Sequence, residues 1–178
     1  MTTPGQLRVI VLMGVAGCGK STVGGELSRA LGWPFRDADT FHPPANIQKM
    51  GRGVPLSDED RWPWLDAIGT WIGERLAGNE PGIVSCSALK RVYRTRIGAK
   101  RQGVRLVYLL GSQDLIAARL AARKDHFMPA ALLASQFAAL EEPGPEERAL
   151  VMGVALPPQY IARSIADRLG VPVAGGKA

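Results

Sequence analysis

Apolar residues follow two rhythms along this chain. Residues 7–13, "LRVIVLM", are apolar almost without a break, which suits a parallel strand covered on both faces. After a glycine-rich stretch, Val23, Leu27, Ala30 and Leu31 recur at helical spacing, and Gly32 supplies a stop. "PFRDAD" (34–39) reads as a short second strand, and "HPPANIQKM" (42–50) as a loop entering a short helix, its entry fixed by Pro43 and Pro44. A longer helix is predicted over 55–78. Ser57 and Asp60 resemble a capping box there, Trp64, Ile68, Trp71, Ile72 and Leu76 line one side, and Pro63 is tolerated by falling in the first turn.

Six further elements complete the pattern, beginning with strands over 82–88, 104–111 and 149–155 and a basic helix over 89–102. Helices over 112–124 and 157–170 follow the fourth and fifth strands, the latter with Ile161, Ile165 and Leu169 in phase. Strands alternating with helices, the strands apolar without alternation, predict an α/β fold with a doubly wound, five-stranded parallel sheet. Ligands of such sheets bind beyond the carboxyl ends of the strands. That directs attention to residues 14–21, to Asp37 and Asp39, and to "SCSALKR" (85–91).

The chain's 178 residues fit one domain. With 46% apolar and 21% charged residues it reads as globular, and no apolar stretch approaches the roughly eighteen residues of a membrane helix. "MTTPGQLR" lacks the features of a secretion signal. Cys18 and Cys86 lie in or beside site segments, so a structural disulfide is not expected and the cytoplasm is the default compartment. The net charge of +6 owes much to residues 90–105, which hold seven basic and no acidic side chains. Such a run fits nucleic acid, an anionic small substrate or a solvated helix face. Tyr93 is its only aromatic residue, which disfavours base stacking and hence nucleic acid.

"GVAGCGKS" (14–21) matches the P-loop pattern, Gly14 followed after four residues by Gly19-Lys20-Ser21. The glycines let backbone N–H groups approach phosphate oxygens, and the next helix aims its N-terminus at the same anion. Lys20 then reaches the outer phosphates and the Ser21 hydroxyl suits Mg²⁺. A bland glycine-rich turn has the same composition; the strand before it and the amphipathic helix after it favour the cradle.

Asp37 and Asp39, two apart in an extended segment, point the same way. One suits a metal-bound water and the other a proton from a substrate hydroxyl, against the alternative of a solvated strand end with capping duty. Arg119 and Arg123 share a helix face ahead of "KDHFMP" (124–129), as a lid closing over ATP or as an ordinary surface helix. His42 and His126 have no companions at zinc-ligand spacing. Ser85, Cys86 and Ser87 have no His within motif distance, so no covalent nucleophile is expected. With Lys90, Arg91 and Arg94 they suit an anionic, hydroxyl-rich substrate. The tryptophans read as helix packing, with Trp62 or Trp64 able to flank the cleft.

"GVAGCGKS", "DADTFHPPANIQKMGRGVPLSDEDRWPWL", "SCSALKRVYR", "RLAARKDHFMP" and "SQFAALEEP" together resemble the small P-loop gluconate kinases, relatives of shikimate and nucleoside monophosphate kinases. The resemblance runs nearly end to end. Its H-P-x-x-N-I-x-K-M and "SCSALK" segments are more specific than the P-loop. It implies a P-loop NTPase, nucleoside-monophosphate-kinase-like domain over 1–178, with a short lid about 122–136 and substrate-binding helices about 44–78. It also implies transfer of the ATP γ-phosphoryl group to the 6-hydroxyl of D-gluconate, with ATP and Mg²⁺ as cofactors. By that resemblance Gly14, Val15, Ala16, Gly17, Cys18, Gly19, Lys20, Ser21 and Thr22 bind the nucleotide, and Ser21 and Asp37 serve the metal. Lys20, Asp39 and Arg123 are the catalytic candidates, Asp39 taking or orienting the hydroxyl proton and Arg123 reaching phosphates from the lid. Arg119 and Pro157 sandwich adenine. Arg61, Lys90 and Arg94 form the cationic side of the acceptor pocket, joined by His42, Asn46 and Ser87. A homodimer is a family expectation.

A kinase of the same fold acting on shikimate or a nucleotide, and a nucleotide-binding regulator, are the alternatives. Cys18 departs from the serine common in such loops and is expected to make the loop oxidation-sensitive. The tail "VPVAGGKA" matches nothing in the resemblance and is expected to fray.

Overall fold

Every residue of Val9–Met13 (β1) is shut off from solvent, as an unbroken apolar run requires when helices cover both faces of a sheet. The computed structural model describes residues 7–123 and 130–175. Phe35–Asp37 (β2), Gly82–Ser85 (β3), Val104–Leu110 (β4) and Leu150–Gly153 (β5) join β1 in one parallel sheet, in the order β2-β3-β1-β4-β5. The helices are Lys20–Leu31 (α1), Pro44–Gly51 (α2), Asp58–Ala77 (α3), Arg91–Ile97 (α4), Gln113–Ala121 (α5), Ala130–Ala139 (α6) and Pro158–Leu169 (α7).

Strand alternation sorts the core into two halves. Ile10 and Leu12 pack with Val23 and Leu27 of α1, Ile116 of α5 and Ile161 and Ile165 of α7. Val9, Val11 and Met13 face the other way, onto Trp64, Ile68, Trp71 and Ile72 of α3 and Tyr93 and Ile97 of α4. Each such side chain contributes about 1.5–3 kcal/mol by leaving water. Because β3 and β4 flank β1, the loop after β1 sits where the strand order reverses, the crevice in which doubly wound sheets hold ligands.

Several boundaries differ from the sequence pattern. The helix expected over 89–102 is only α4, because Gly98 takes a left-handed conformation (φ 79°) and caps it. The third strand ends at Ser85 rather than 88. Pro63 lies beyond the first turn of α3, as its sixth residue; the helix runs through it, and the bond it forgoes belongs to the exposed Glu59. The Ser57–Asp60 capping box is present in full. The tail is anchored as far as Ala174, whose N–H donates to Ala30 at 2.7 Å, while Val171 and Val173 pack on the core.

Candidate active site

After β1 the chain turns sharply into α1, and glycine is required for two reasons. At Gly14 (φ 152°) a Cβ would stand 2.7 Å from the Cys18 sulfur and 2.9 Å from the Leu109 carbonyl oxygen. Gly19 caps α1 at φ 98° without a side-chain bond, so the first-turn N–H groups remain available to an anion. Lys20 lies back along this loop, its Nζ donating to the carbonyls of Gly14 (2.9 Å) and Val15 (3.0 Å).

Two adjoining clefts open here, sharing Gly17, Gly19, Thr22 and Arg123. One, of about 370 Å³, lies beyond the ends of β1, β2 and β3 and is lined by Lys20, Ser21, Asp37, Asp39, His42, Arg61, Trp64 and Ser85 to Ser87. The other, about 380 Å³, lies toward β5 and brings Arg119 together with Pro157. The Arg119 guanidinium is held by the Val154 carbonyl. A further cleft of about 500 Å³, between residues 99–105 and 146–148, opens at the amino end of β4 and contains none of these groups.

Asp37 closes β2. Its Oδ1 accepts the Asp39 N–H at 3.0 Å and so turns the chain into the 3₁₀ turn Ala38–Phe41. Its Oδ2 receives the Ser21 hydroxyl. The two carboxylates do meet in one cleft, but through this turn and not through strand alternation. From α3, Trp64 fixes the turn by donating Nε1–H to the Ala38 carbonyl at 2.7 Å, and its ring stacks on His42 with centroids 4.4 Å apart. Burial, reinforced by the nearby Arg61 and opposed by Asp39, holds the His42 imidazolium below its ordinary titration range. Burial therefore favours the neutral imidazole.

These features match known proteins. The shikimate kinase family model fits residues 16–149. A gluconokinase of Gluconobacter oxydans is 45% identical over 140 residues, 79% of each chain. The solved structure of a gluconokinase from Sinorhizobium meliloti 1021 is 47% identical, covers 92% of this chain and 91% of its own, and superposes with a TM-score of 0.80. The chain belongs to the gluconokinase family. A solved sugar kinase from Janibacter sp. HTCC2649 is 40% identical, with a TM-score of 0.83 over 93% of this chain and 95% of its own.

Three residues that the gluconokinase resemblance put in the acceptor pocket stand elsewhere. Asn46 is buried beneath it, Nδ2 donating to the Asp60 carbonyl (2.8 Å) and to His42 Nδ1 (3.3 Å). Its role is to orient His42, leaving the proton of the neutral ring on Nε2. Lys90 lies outside the cleft lining, pairing at 3.2 Å with Asp58 beside the Tyr93 ring, a carboxylate it shares with Arg61. Arg94 is 1% exposed and meets Glu147 through two bonds of 2.6 and 2.9 Å. Those bonds hold the Glu147 carboxyl below its ordinary range; removing one partner of such a pair costs about 3–5 kcal/mol. The same fate meets other cations of the 90–105 run: Arg91 pairs with Glu146 and Arg96 with Asp66. Arg94–Glu147 is buried, whereas the Arg91 and Arg96 pairs lie at the exposed surface.

Gln136 was not legible as a site residue. It comes from α6, whose Leu133 and Phe137 pack on the core, and its Oε1 accepts the Ala16 N–H of the loop at 2.7 Å. The lid expected over 122–136 falls partly on residues 124–129, including His126, which lie outside the described residues; Arg123 ends the described part and lines both clefts.

Cys18 does not make the loop oxidation-sensitive. It is 1% exposed, and burial raises its thiol above the ordinary range; Cys86 is pushed up to about 12. Only the thiolate reacts, so both buried, raised thiols are poor nucleophiles. Native protein is expected to give no colour with a thiol reagent such as DTNB, and two equivalents once unfolded in guanidinium; a fast native equivalent would contradict this burial.

Proposed function

We propose that this protein transfers the γ-phosphoryl group of ATP to the 6-hydroxyl of D-gluconate, giving 6-phospho-D-gluconate and ADP. The observation that carries the reading is one cleft holding a P-loop lysine, two carboxylates, a histidine and two arginines, in a chain whose curated relatives include gluconokinases. The amides of residues 17–22 and Lys20 hold the triphosphate, and Arg119 and Pro157 the base. The acceptor lies between Asp39, His42, Arg61 and Ser87, with Arg61 on the carboxylate and His42 Nε2–H on a hydroxyl.

In the transfer, the sugar-acid O6 attacks phosphorus as the bond to the ADP oxygen breaks, and the hydroxyl proton passes to the Asp39 carboxylate. Lys20 and Arg123 offset the charge on the moving phosphoryl oxygens. Ser21 and Asp37 fit Mg²⁺: they are adjacent hard oxygen donors, and among the described residues no cluster of three or more ligating side chains forms a full cage. A pair with few protein ligands suits an ion that keeps waters and binds substrate phosphates. When bound, the ion neutralises phosphate charge.

A coupled ADP-release assay with gluconate, shikimate and AMP tests the reading. Turnover is expected with gluconate alone. Turnover with shikimate or AMP and none with gluconate would transfer the acceptor assignment to that compound.

A further inference from the structure

We infer that Arg94 and Glu147 form a positioning pair that sets the acceptor-facing segment 85–89 against the phosphate loop. The inference rests on the acceptor reading proposed above and assigns these two residues a part in it that neither contact with substrate nor packing alone describes.

Segment 85–89 has an unusual course. The Cys86 N–H still bonds Leu12 of β1 at 2.9 Å, and the Ser87 carbonyl accepts the Gly14 N–H at 3.3 Å. One residue later Ala88 takes φ 45°, a left-handed conformation that an L-residue with a Cβ adopts only when its surroundings impose it. The consequence is that the Ala88 and Leu89 carbonyls turn inward, away from the cleft. Buried carbonyls need donors. Arg94 supplies them: Nη1 donates to both, each at 3.0 Å, while Nε and Nη2 grip Glu147.

Glu147 is itself tied down, its Oε2 accepting the Gly144 N–H at 3.1 Å. The chain leading to it from α6 makes two more ties to the same region. Glu141 donates its N–H to the Leu89 carbonyl at 2.9 Å and accepts the Arg91 N–H at 2.6 Å. Gln136, at the other end of that stretch, holds the Ala16 amide of the phosphate loop. The stretch 136–147 thus bridges the phosphate loop and the acceptor segment, and the Arg94–Glu147 pair is its buried fastening.

If the pair only contributed stability, any well-packed replacement would serve. If it positions, the replacement must also satisfy the Ala88 carbonyl, since the Leu89 carbonyl keeps the Glu141 N–H. Arg94→Lys, Glu147→Gln and the double variant Arg94→Met/Glu147→Met separate these roles. The double variant leaves no buried charge unpaired and is expected to fold. In all three the KM for gluconate is expected to rise at least about tenfold, the KM for ATP staying within about twofold. Amides 86–90 are expected to exchange with deuterium at least about tenfold faster while those of β1 and α1 keep their protection.

A double variant with wild-type KM for gluconate and wild-type exchange at 86–90 overturns the inference, as does an equal rise in both KM values with exchange accelerated throughout. Should the double variant fail to fold, Arg94→Lys decides by the same two readouts. Wild-type protein inert toward gluconate refutes the proposed acceptor, and the exchange pattern then decides this inference alone.

Discussion

Lys20→Met is expected to lower kcat about a thousandfold or more, with a much smaller change in the KM for ATP. Methionine keeps the unbranched stem and removes the charge. In the resting loop Lys20 Nζ binds the Gly14 and Val15 carbonyls, bonds that any phosphate oxygen must compete with or join. Ground-state binding therefore gains little from the ammonium. The transferring phosphoryl group, whose charge spreads over three oxygens, gains most. The measurement is steady-state turnover at saturating ATP and gluconate, with the melting temperature as a control. Preserved turnover would remove Lys20 from the phosphate role. A loss of kcat matched by a loss of fold would show that the lysine merely holds the loop together.

The half of the site that faces phosphate was legible in the sequence because its chemistry is made by the backbone. A glycine at residue 14 and a helix starting after Gly19 are local properties, and local pattern reports them. The sheet was legible for a related reason: strands buried on both faces carry their own signature, and the five expected strands form one parallel sheet. The acceptor half depends on tertiary partners. Arg94 looked like a ligand because its run carries no acidic residue, yet its counter-charge, Glu147, lies 53 positions away. Lys90 likewise pairs with Asp58, and Asn46 with His42 and the Asp60 carbonyl, partners that local pattern does not show. Charge runs report what a side chain carries and not where its partner sits.

The α6 helix was missed for the opposite reason. Its sequence, "AALLASQFAA", is strong in helix formers and its stripe is short, Leu133 and Phe137 packing on the core with Leu140 just beyond, so propensity is the clearer signal there. With it went Gln136. The tail erred in a third way: the lack of a family match was taken as fraying, although valines at 171 and 173 are apolar enough to pack.

Asp39→Asn is expected to lower kcat by about 10²–10⁴, with the KM for gluconate changed far less. The amide keeps the shape and one acceptor oxygen but cannot take a proton. The 3₁₀ turn does not depend on it, since Asp37 caps that turn and Trp64 fixes the Ala38 carbonyl. The informative comparison is Asp37→Asn. There the amide oxygen still accepts the Asp39 N–H, so the turn survives, but the carboxylate facing Ser21 is weakened as a magnesium partner. Raising magnesium is therefore expected to recover much of the Asp37→Asn loss and none of the Asp39→Asn loss. The two carboxylates lie in one cleft, and a magnesium titration of the two variants assigns their labour. Recovery of Asp39→Asn by the ion would exchange the roles, and unchanged turnover in Asp39→Asn would leave the proton to some other base.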